Sequence, residues 1–575
     1  MLAFILLGAI ALFLIAYRVY GSWMSGVFGL NDRHVVPAEA QFDGVDHVPT
    51  KTPVLLGHHF ASIAGAGPIV GPILAGLFFG WVPALIWIVV GSIFVGGVHD
   101  FGSTVASVRH KAKSVAELAK QYMSPTAFKL FLAFIWLALV YVIVVFLDLT
   151  ATTFVNESMN GSGVAISAIM FMALAVAMGW VMVKRGMDLK KATFIFLPLL
   201  LLAIWGGDVL GSGAGLLPGI GGSEKNTWNA LLLVYCFVAA ITPVWFLLQP
   251  RDYLSSWLLY LAVIGAAGGL TLAALTGTDL VASTWPALVR PGEVTALGVA
   301  HIGPLFPILF ITIACGACSG FHSIVASGTT AKQIKCETDT RRVAYGAMLI
   351  EGVVAVIALA TVMILPFGAS ALGSDPVALY ASGIGVFLSS LGIPREFGAH
   401  FGLLALSTFL LTTLDTCTRL GRYVVHEAFG WEKNTRRSRT IATLVTVALP
   451  AGLVFVTYSD PATGLVIPAW KAIWPVFGAT NQMLAALALL AVTVWLKRTG
   501  RKWAFTGVPM VFMLGMTMWA LLILIRLWGA SLIGMISAAL LVLGLLLSIE
   551  AARAFRLQGV GPEPVTLKPA EVLGD

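Results

Sequence analysis

The chain has 575 residues, of which 58% are hydrophobic and 11% are charged, and its mean hydropathy is +0.93. Soluble globular domains are about 45–50% apolar and about 25% charged, and disordered chains combine low hydrophobicity with high charge, so both classes are excluded. In a membrane protein, the net charge of +8 is informative through the positions of the Lys and Arg residues along the chain, and it does not indicate a preference for nucleic acid. This composition predicts an all-α polytopic membrane protein.

Segments long enough to cross a bilayer recur along the whole chain. A spanning helix needs about 20 mostly apolar residues. The first segment lacks a basic start and a signal-peptide cleavage site, so we interpret it as a retained helix. The fifteen predicted spans are 1–20, 57–79, 81–106, 126–148, 163–183, 192–211, 229–249, 254–276, 302–326, 342–366, 399–418, 440–457, 474–496, 504–526 and 530–550.

The positions of the basic residues predict the orientation. With the N-terminus outside, 30 of the 35 Lys and Arg residues fall in loops on the inner side. Cytoplasmic loops retain Lys and Arg, so this distribution supports an outside N-terminus and an inside C-terminus. The longest loops, near 21–56, 277–301 and 367–398, are too short for soluble domains of their own.

The second predicted span contains the most unusual stretch, GHHFASIAGAGPIVGP from Gly57 to Pro72. Proline and glycine weaken a helix, and broken backbone is tolerated in a membrane only where protein or water supplies hydrogen-bond partners. We expect a discontinuous helix whose second half offers a carboxylate site at its N-terminus, although a kinked helix that packs closely through glycine is the alternative. The candidate substrate-binding residues here are Ser62, Gly65, Gly67 and Pro68.

The seventh predicted span carries a second proline interruption, in AAITPVWFLLQPRDY from Ala239 to Tyr253. It lies five spans after the first interruption and runs in the opposite direction, a pattern typical of inverted-repeat secondary transporters. We therefore predict repeats that start near residues 57 and 229. Thr242, Pro243 and Gln249 are expected to complete the substrate site, with Gln249-Pro250-Arg251-Asp252 closing the span on the inner side.

The ninth predicted span ends in a run of small residues, FITIACGACSGFHSIVASGTTAKQ from Phe310 to Gln333. Its hydroxyl groups indicate either a substrate and cation site or close helix packing, and the two interpretations have about equal support. Ser319 is a candidate substrate ligand, and Ser323 and Ser327 are candidate ion ligands. Zinc at Cys315 and Cys318 is disfavoured because no second cysteine pair follows at a suitable spacing.

Ionisable residues at membrane depth are few, and each is a functional candidate because it would be costly in contact with lipid. Histidine and a buried carboxylate can both exchange protons near neutral pH. Structural explanations remain open for some of these residues. Asp148 and the His58–His59 pair could lie at the membrane interface, and Asp100 could form an ion pair with Arg109. The candidates for proton coupling are His59, His99, Asp100, His322 and Glu351.

Several other classes of protein find no support in the sequence. A metal site of His58, His59, His99 and Asp100 lacks any recognised helical ligand spacing. Walker, nucleophile-elbow and dinucleotide-binding motifs are also missing from the 575 residues. An enzyme, a primary pump or a cofactor-dependent protein is therefore not expected.

Six longer motifs carry a family resemblance. They are GHHFASIAGAGPIVGP, GWVPALIWIVVGSIFVGGVHDF, PVWFLLQPRDYL, FPILFITIACGACSGFHSIVASGTT, TTLDTCTRLGRY and FGATNQMLAAL. They resemble the bacterial carbon starvation protein A family over about residues 1–550. The resemblance implies an inner-membrane transporter placed with the amino acid–polyamine–organocation transporters, with inverted repeats and broken first and sixth core helices. It also implies uptake of peptides or, in a close branch, of pyruvate with protons during carbon starvation.

These observations together predict four regions and one leading function. The regions are an N-terminal helix and cytoplasmic loop (1–56), a transporter core (57–457), additional transmembrane helices (458–550) and a cytoplasmic tail (551–575). The leading hypothesis is proton symport of a small carboxylate such as pyruvate, or of a short peptide. The only other partner expected is membrane lipid, and neither a cofactor nor nucleic acid is expected. Sodium coupling through Ser323 or Ser327, a channel, and a nutrient sensor that acts through its basic loops are the alternatives.

Overall fold

The computed structural model describes residues 1–556 except for 45, 212–215, 221, 278–279, 281–284, 291–302, 368, 370–371, 373–374, 432–434 and 460–463. The secondary-structure elements in the first half of this part are all helices, with a π-helical turn at Ser92–Gly96 and a 3-10 turn at Glu157–Met159. Its helices are α1 (Leu2–Phe28), α2 (Pro37–Ala40), α3 (Thr52–Ile63), α4 (Gly67–Phe79), α5 (Trp81–Gly91), α6 (Gly97–Arg109), α7 (Val115–Tyr122), α8 (Pro125–Phe154), α9 (Gly161–Arg185), α10 (Leu189–Leu210), α11 (Glu224–Ile241) and α12 (Leu248–Leu275).

The second half adds further helices, two π-helical turns (Ala326–Thr330 and Arg341–Tyr345) and one small hairpin. The hairpin pairs β1 (Tyr458–Ser459) with β2 (Val466–Ile467) in antiparallel register. The helices are α13 (Leu305–Thr312), α14 (Ala314–Cys318), α15 (Gly320–Val325), α16 (Gly346–Met363), α17 (Pro376–Ser389), α18 (Arg395–Ala428), α19 (Arg436–Val454), α20 (Ala469–Arg498), α21 (Ala504–Trp528) and α22 (Leu532–Arg556).

Membrane-length helices dominate the described residues, which confirms the all-α polytopic prediction. Eleven described helical segments are long and apolar enough to cross a membrane, or twelve if the bent pair α3 and α4 is one span. The predicted spans at 229–249, 302–326 and 440–457 correspond to α11, to the short pieces α13 to α15 and to α19, which are not among the eleven. The count of fifteen therefore stays a prediction.

Two of the predicted boundaries differ from the structure. The predicted loop at 367–398 contains α17, because the Asp375 carboxylate accepts a hydrogen bond from the Val377 amide at 2.8 Å and Pro376 suits the first helical position. The predicted tail begins one turn too early, since α22 continues to Arg556. Residues 557–575 lie outside the described residues.

Three helices form the centre of the fold. α8 and α18 pack along each other, α20 packs on α8, and the apolar part of α20 is buried along its whole length. The apolar parts of α9, α10, α21 and α22 remain largely exposed and form the periphery. Only about a third or less of each of these apolar stretches is buried, so their exposed faces suit contact with lipid, and the central three helices form the core of the protein.

The packing of the short helices follows a repeated arrangement. The α7 helix packs against α8 and α20, and α17 packs in the same way against α18 and α12. Likewise, α3 packs on α12 and α18, while α14 and α15 pack on α20. This correspondence relates the segment from α3 to α12 with the segment from α13 to α20.

The second helix interruption differs from the one expected at Pro243. Residues 242–247 form a turn between α11 and α12, which have 18 and 28 residues, so Pro243 ends a helix and does not divide one span. Instead, α13 and α14, two pieces of the broken series α13 to α15, pack on α4. The packing thus favours a second repeat that starts near residue 305, where 229 was predicted.

Candidate functional site

Two helix breaks lie together in the core. The break between α3 and α4 covers Ala64 to Ala66 and bends the helix axis by 44°. The break between α14 and α15 is at Ser319, whose ψ of 116° is extended. Because α14 packs on α4, each break lies beside a helix of the other interrupted span. The discontinuous second span predicted from Gly65, Gly67 and Pro68 is thus present.

The contact between α4 and α14 depends on glycine. A Cβ atom at Gly67 would overlap the Cys315 side chain, and one at Gly71 would lie 2.5 Å from the Thr312 carbonyl oxygen. A Cβ atom at Gly316 would lie 3.2 Å from the Cα atom of Pro68. Helices that approach this closely leave little space between them, so the break is closed in this conformation.

Polar side chains surround the first break. The Ser62 hydroxyl donates to the His58 carbonyl at 2.7 Å and lies 3.2 Å from the Thr416 hydroxyl. The Thr413 hydroxyl donates to the Ser62 carbonyl at 3.1 Å. A Cβ atom at Gly65 would lie 2.8 Å from the Phe146 ring and 2.9 Å from the Thr413 hydroxyl oxygen. The long helix α18 therefore supplies hydroxyl groups to the broken backbone.

Asn481 on α20 holds the second break in place. Its side-chain oxygen accepts a hydrogen bond from the Phe321 amide at 2.8 Å and one from the Ser319 hydroxyl at 3.2 Å. Its amide nitrogen lies 2.9 Å from both the Cys315 sulfur and the Ser319 oxygen. This side chain satisfies backbone that the break exposes. The sequence analysis did not select Asn481, although it quoted the motif FGATNQMLAAL.

Three predicted substrate residues lie away from the breaks. Gln249 donates to the Thr50 hydroxyl at 3.2 Å and to the Gln333 side chain at 3.0 Å, and the Thr242 carbonyl accepts from Arg419. Pro243 lies in the same turn as Thr242, between two complete helices. The structure thus brings Ser62, Gly65, Gly67, Pro68 and Ser319 to the breaks and leaves Thr242, Pro243 and Gln249 outside them.

Four of the five predicted proton-coupling residues meet in one buried cluster. His322 Nδ1 lies 3.2 Å from Asp100 Oδ2, and His322 Nε2 lies 3.3 Å from Glu351 Oε2. His99 Nδ1 lies 2.8 Å from Asp100 Oδ1, and all four side chains have no exposed area. We call His99, Asp100, His322 and Glu351 the His322 cluster. It is assembled from α6, α15 and α16, directly after the break at Ser319.

The expected alternative for Asp100 is wrong. Arg109 pairs instead with Glu337, from Nε to Oε1 at 2.8 Å, while Asp100 lies between two histidines. The separation has a simple cause, because residues nine positions apart on a helix are about 13.5 Å apart along its axis.

The remaining predicted coupling residues, His59, Ser323 and Ser327, make separate contacts. His59 Nδ1 lies 2.8 Å from the Thr330 hydroxyl. The Ser323 hydroxyl donates to the Gly320 carbonyl at 2.7 Å, and the Ser327 hydroxyl donates to the Ser323 carbonyl at 2.8 Å. Both serine protons are thus used within their own helical segment.

A second buried charge cluster was not predicted from the sequence. His58 Nδ1 lies 2.6 Å from Asp252 Oδ2, and Arg251 Nη2 lies 2.5 Å from Asp252 Oδ1. Arg251 Nη1 pairs with Asp415 and donates to the Tyr235 hydroxyl at 2.6 Å, which in turn donates to Asp415 at 2.6 Å. We call these five residues the Arg251 cluster. Arg251 and Asp252 were expected to close a span at its inner end, but both are fully buried near the start of α12.

A third set of charges holds the loop before α3 against α18. Asp46 accepts a hydrogen bond from Arg419 at 3.2 Å and one from the Tyr423 hydroxyl at 2.6 Å, and its oxygen lies 3.5 Å from Arg422. Burial raises the pKa of Asp46, but the nearby charges of Arg422, Arg419 and Lys332 lower it, and the net effect is well below its usual range. The loop is thus fastened at neutral pH, on the side predicted to be cytoplasmic.

Comparison with known proteins assigns the family. The sequence model for "Carbon starvation protein CstA" matches residues 1–373 and 369–520. The chain belongs to this family. The peptide transporter CstA of Campylobacter jejuni is 33% identical over 90% of this chain and 79% of its own length. The pyruvate/proton symporter BtsT of Escherichia coli is 32% identical over 90% of this chain and 81% of its own length, and the peptide transporter CstA of that organism is 31% identical over 90% and 80%.

Solved structures show a weaker similarity. MhsT in complex with L-phenylalanine aligns with a TM-score of 0.44 and 13% identity, over 88% of this chain and 98% of MhsT. A manganese transporter of Eremococcus coleocola aligns with a TM-score of 0.48 and 10% identity, over 89% and 99%. Since the named relatives are transporters, this member of the family is a multi-pass membrane transporter and not an enzyme.

Proposed function

We propose that the chain imports a small carboxylate such as pyruvate, or a short peptide, together with protons across the bacterial inner membrane. The import belongs to the starvation response that the family name implies. No cofactor is needed, because the proton gradient supplies the energy. In this proposal the N-terminus lies outside and the C-terminus inside, as the distribution of Lys and Arg indicates.

The observation that carries the proton coupling is the His322 cluster. Two carboxylates, Asp100 and Glu351, lie on either side of one imidazole with no exposed area. Burying two negative charges is costly unless cations or protons neutralise them. His322 supplies one positive charge when it is protonated, and a second proton on His99 or Glu351 makes the cluster neutral. Opening it to water would allow these protons to leave.

The location of this cluster supports its coupling to substrate. His322 follows the break at Ser319 by three residues, so movement of α15 relative to α14 changes the distance from His322 to Glu351 on α16. Discontinuous helices of this kind hold substrates and coupling ions in many secondary transporters. Proton binding and helix movement are therefore linked through one short segment.

The start of α4 is the proposed carboxylate site. Pro68 has no amide hydrogen, and the Gly65 amide already donates to the Ile63 carbonyl at 2.9 Å. The amides of Ala66 and Gly67 are left for a ligand at the positive end of the α4 dipole. The Ser62 and Ser319 hydroxyls lie at the same two breaks. The close contact of Gly67 with Cys315 means that α4 and α14 separate when substrate enters.

Transport by the purified protein tests this proposal. Labelled pyruvate and a labelled dipeptide are offered to proteoliposomes with an inward proton gradient, with and without a protonophore, and with a sodium gradient in a separate arm. We expect accumulation of one substrate that collapses with the protonophore. Accumulation that needs sodium and ignores the proton gradient would refute proton coupling.

A neutral variant of the cluster then identifies the residue. Glu351→Gln should abolish accumulation driven by the gradient and retain exchange of internal for external substrate, since exchange needs no net proton movement. Glu550→Gln on α22 is the matched control, because Glu550 pairs with Arg553 away from both breaks. Full accumulation by Glu351→Gln would refute the role of the cluster.

A further inference from the structure

The Arg251 cluster joins four helices at a point that the proposed function does not use. Asp252 and Arg251 are on α12, Asp415 is on α18, Tyr235 is on α11 and His58 is on α3. Both ion pairs of Arg251 and the contact of His58 with Asp252 join side chains that are at most 1% exposed. The other nearby titratable groups are Cys236, beside Arg251, Cys417 and Arg419 on α18, and His59, which follows His58 on α3 and contacts Thr330.

The charges of this cluster do not balance without a proton. Asp252 and Asp415 carry two negative charges and Arg251 carries one positive charge. Tyr235 is neutral: its hydroxyl donates to Asp415 and accepts from Arg251. Cys236 and Cys417 are thiols, and Arg419 is already paired with Asp46. One uncompensated negative charge in a fully buried site is unfavourable, and one added proton removes it.

Two atoms show where that proton can bind. Within the described part of the chain, His58 Nε2 and Asp415 Oδ1 are buried without a hydrogen-bond partner. His58 Nδ1 lies 2.6 Å from Asp252, so an imidazolium at His58 would neutralise the excess charge by direct contact. A bound metal cation is less suited to neutralise this charge, because the guanidinium of Arg251 already lies between the carboxylates of Asp252 and Asp415.

We propose that the Arg251 cluster is a second proton-binding site, with His58 as the residue that carries the proton. This inference rests on the proposed proton symport. The site holds its proton while α3 packs on α12 and α18, and it releases the proton when α3 moves away. In the release step the N–H bond of the imidazolium breaks, the electron pair stays on nitrogen and the proton passes to water.

Transport stoichiometry provides the first test. Asp415→Asn leaves Arg251 and Asp252 as a balanced pair, so the cluster no longer needs a proton. We expect one proton fewer per pyruvate, measured with a pH indicator inside proteoliposomes, and retained substrate exchange. His400→Gln, a buried histidine beside Asp208 and Ser167, should keep the wild-type ratio. An unchanged ratio in Asp415→Asn would overturn the proposal.

A measurement without substrate separates this site from the proposed function. Infrared difference spectra between acid and alkaline buffer report the titration of imidazole and carboxyl groups in the purified protein. We expect one titrating imidazole of the wild type to be missing from the spectra of His58→Gln and also from those of Asp415→Asn, in which His58 is retained but no longer needs a proton. If Asp415→Asn, which keeps His58, shows the same imidazole titration as the wild type, the second proton site does not exist. If the wild type carries neither pyruvate nor dipeptide, the proposed function fails while these spectra still decide the second site.

Discussion

The contact between Gly67 and Cys315 permits a quantitative test of how tightly the first break is closed. In Gly67→Ala the new Cβ atom would overlap both Cβ and Sγ of Cys315, so one of the two helices has to shift. Overpacking of a tightly packed core costs about 1–3 kcal/mol, which is a factor of about 5 to 150 in an equilibrium constant. The atoms in contact lie next to the backbone on both sides, so a local side-chain adjustment cannot relieve the overlap. We therefore expect Gly67→Ala to lower the free energy of unfolding by an amount within this range.

A matched control and a rescue variant isolate this effect. Gly515→Ala on α21 adds the same atom where nothing lies within 4 Å, and should change stability little or raise it by up to about 1 kcal/mol. Cys315→Gly removes the colliding atoms and leaves the Cys315 Cα atom 3.5 Å away, so Gly67→Ala should cost less in that background. The coupling between the two substitutions should be about 0.5–3 kcal/mol.

Denaturant unfolding of the purified protein in detergent is the assay. The four proteins of the cycle, wild type, each single variant and the double variant, are compared at one detergent concentration. Equal stability of Gly67→Ala and Gly515→Ala would refute the argument, because the overlap of the added atom with Cys315 would then not lower the free energy of unfolding. Additive costs in the double variant would show that the cost arises elsewhere than at Cys315.

Four further outcomes are expected. Gly67→Leu should abolish uptake while membrane insertion stays normal, and normal uptake would show that the carboxylate site is misplaced. Asn481→Ala should lower both the free energy of unfolding and the uptake rate, because the Phe321 amide loses its acceptor. Asp46→Asn should destabilise the protein at neutral pH by about 3–5 kcal/mol, since it removes the buried negative charge that faces Arg419 and Arg422. The depressed pKa of Asp46 gives the sign of the pH effect: its contribution is complete above about pH 4 and is lost as the pH falls further, so the stability curves of wild type and Asp46→Asn should converge only in strong acid.

Local signals in the sequence predicted the first helix break. Glycine and proline act on their own backbone, so the break at Gly65 to Pro68 could be predicted without any knowledge of neighbours. Charges within apolar stretches are equally visible, which is why His322 and Glu351 were selected. The break at Ser319 contains no proline, and the small residues around it are also explained by packing.

Tertiary partners could not be predicted in the same way. Arg251 and Asp252 follow a proline close to the expected end of a span, so the local pattern favoured an interfacial position. Their burial depends on Asp415, more than 160 residues later in the chain, and on Tyr235. Pro243 misled for a related reason, because a proline that ends a helix and one that breaks it look alike in sequence.

The adjacent histidines on α3 constrain the order in which the protein can bind and release protons. His58 contacts Asp252 on α12, and His59 contacts Thr330 in a different part of the fold. Consecutive residues of a helix point in directions about 100° apart, so the two imidazoles face different neighbours although they belong to the same short helix. A rotation of α3 that separates one imidazole from its partner necessarily displaces the other. The covalent geometry of α3 therefore couples the separation of His58 from its partner to that of His59. No chain of water molecules between the two imidazoles is needed for this coupling.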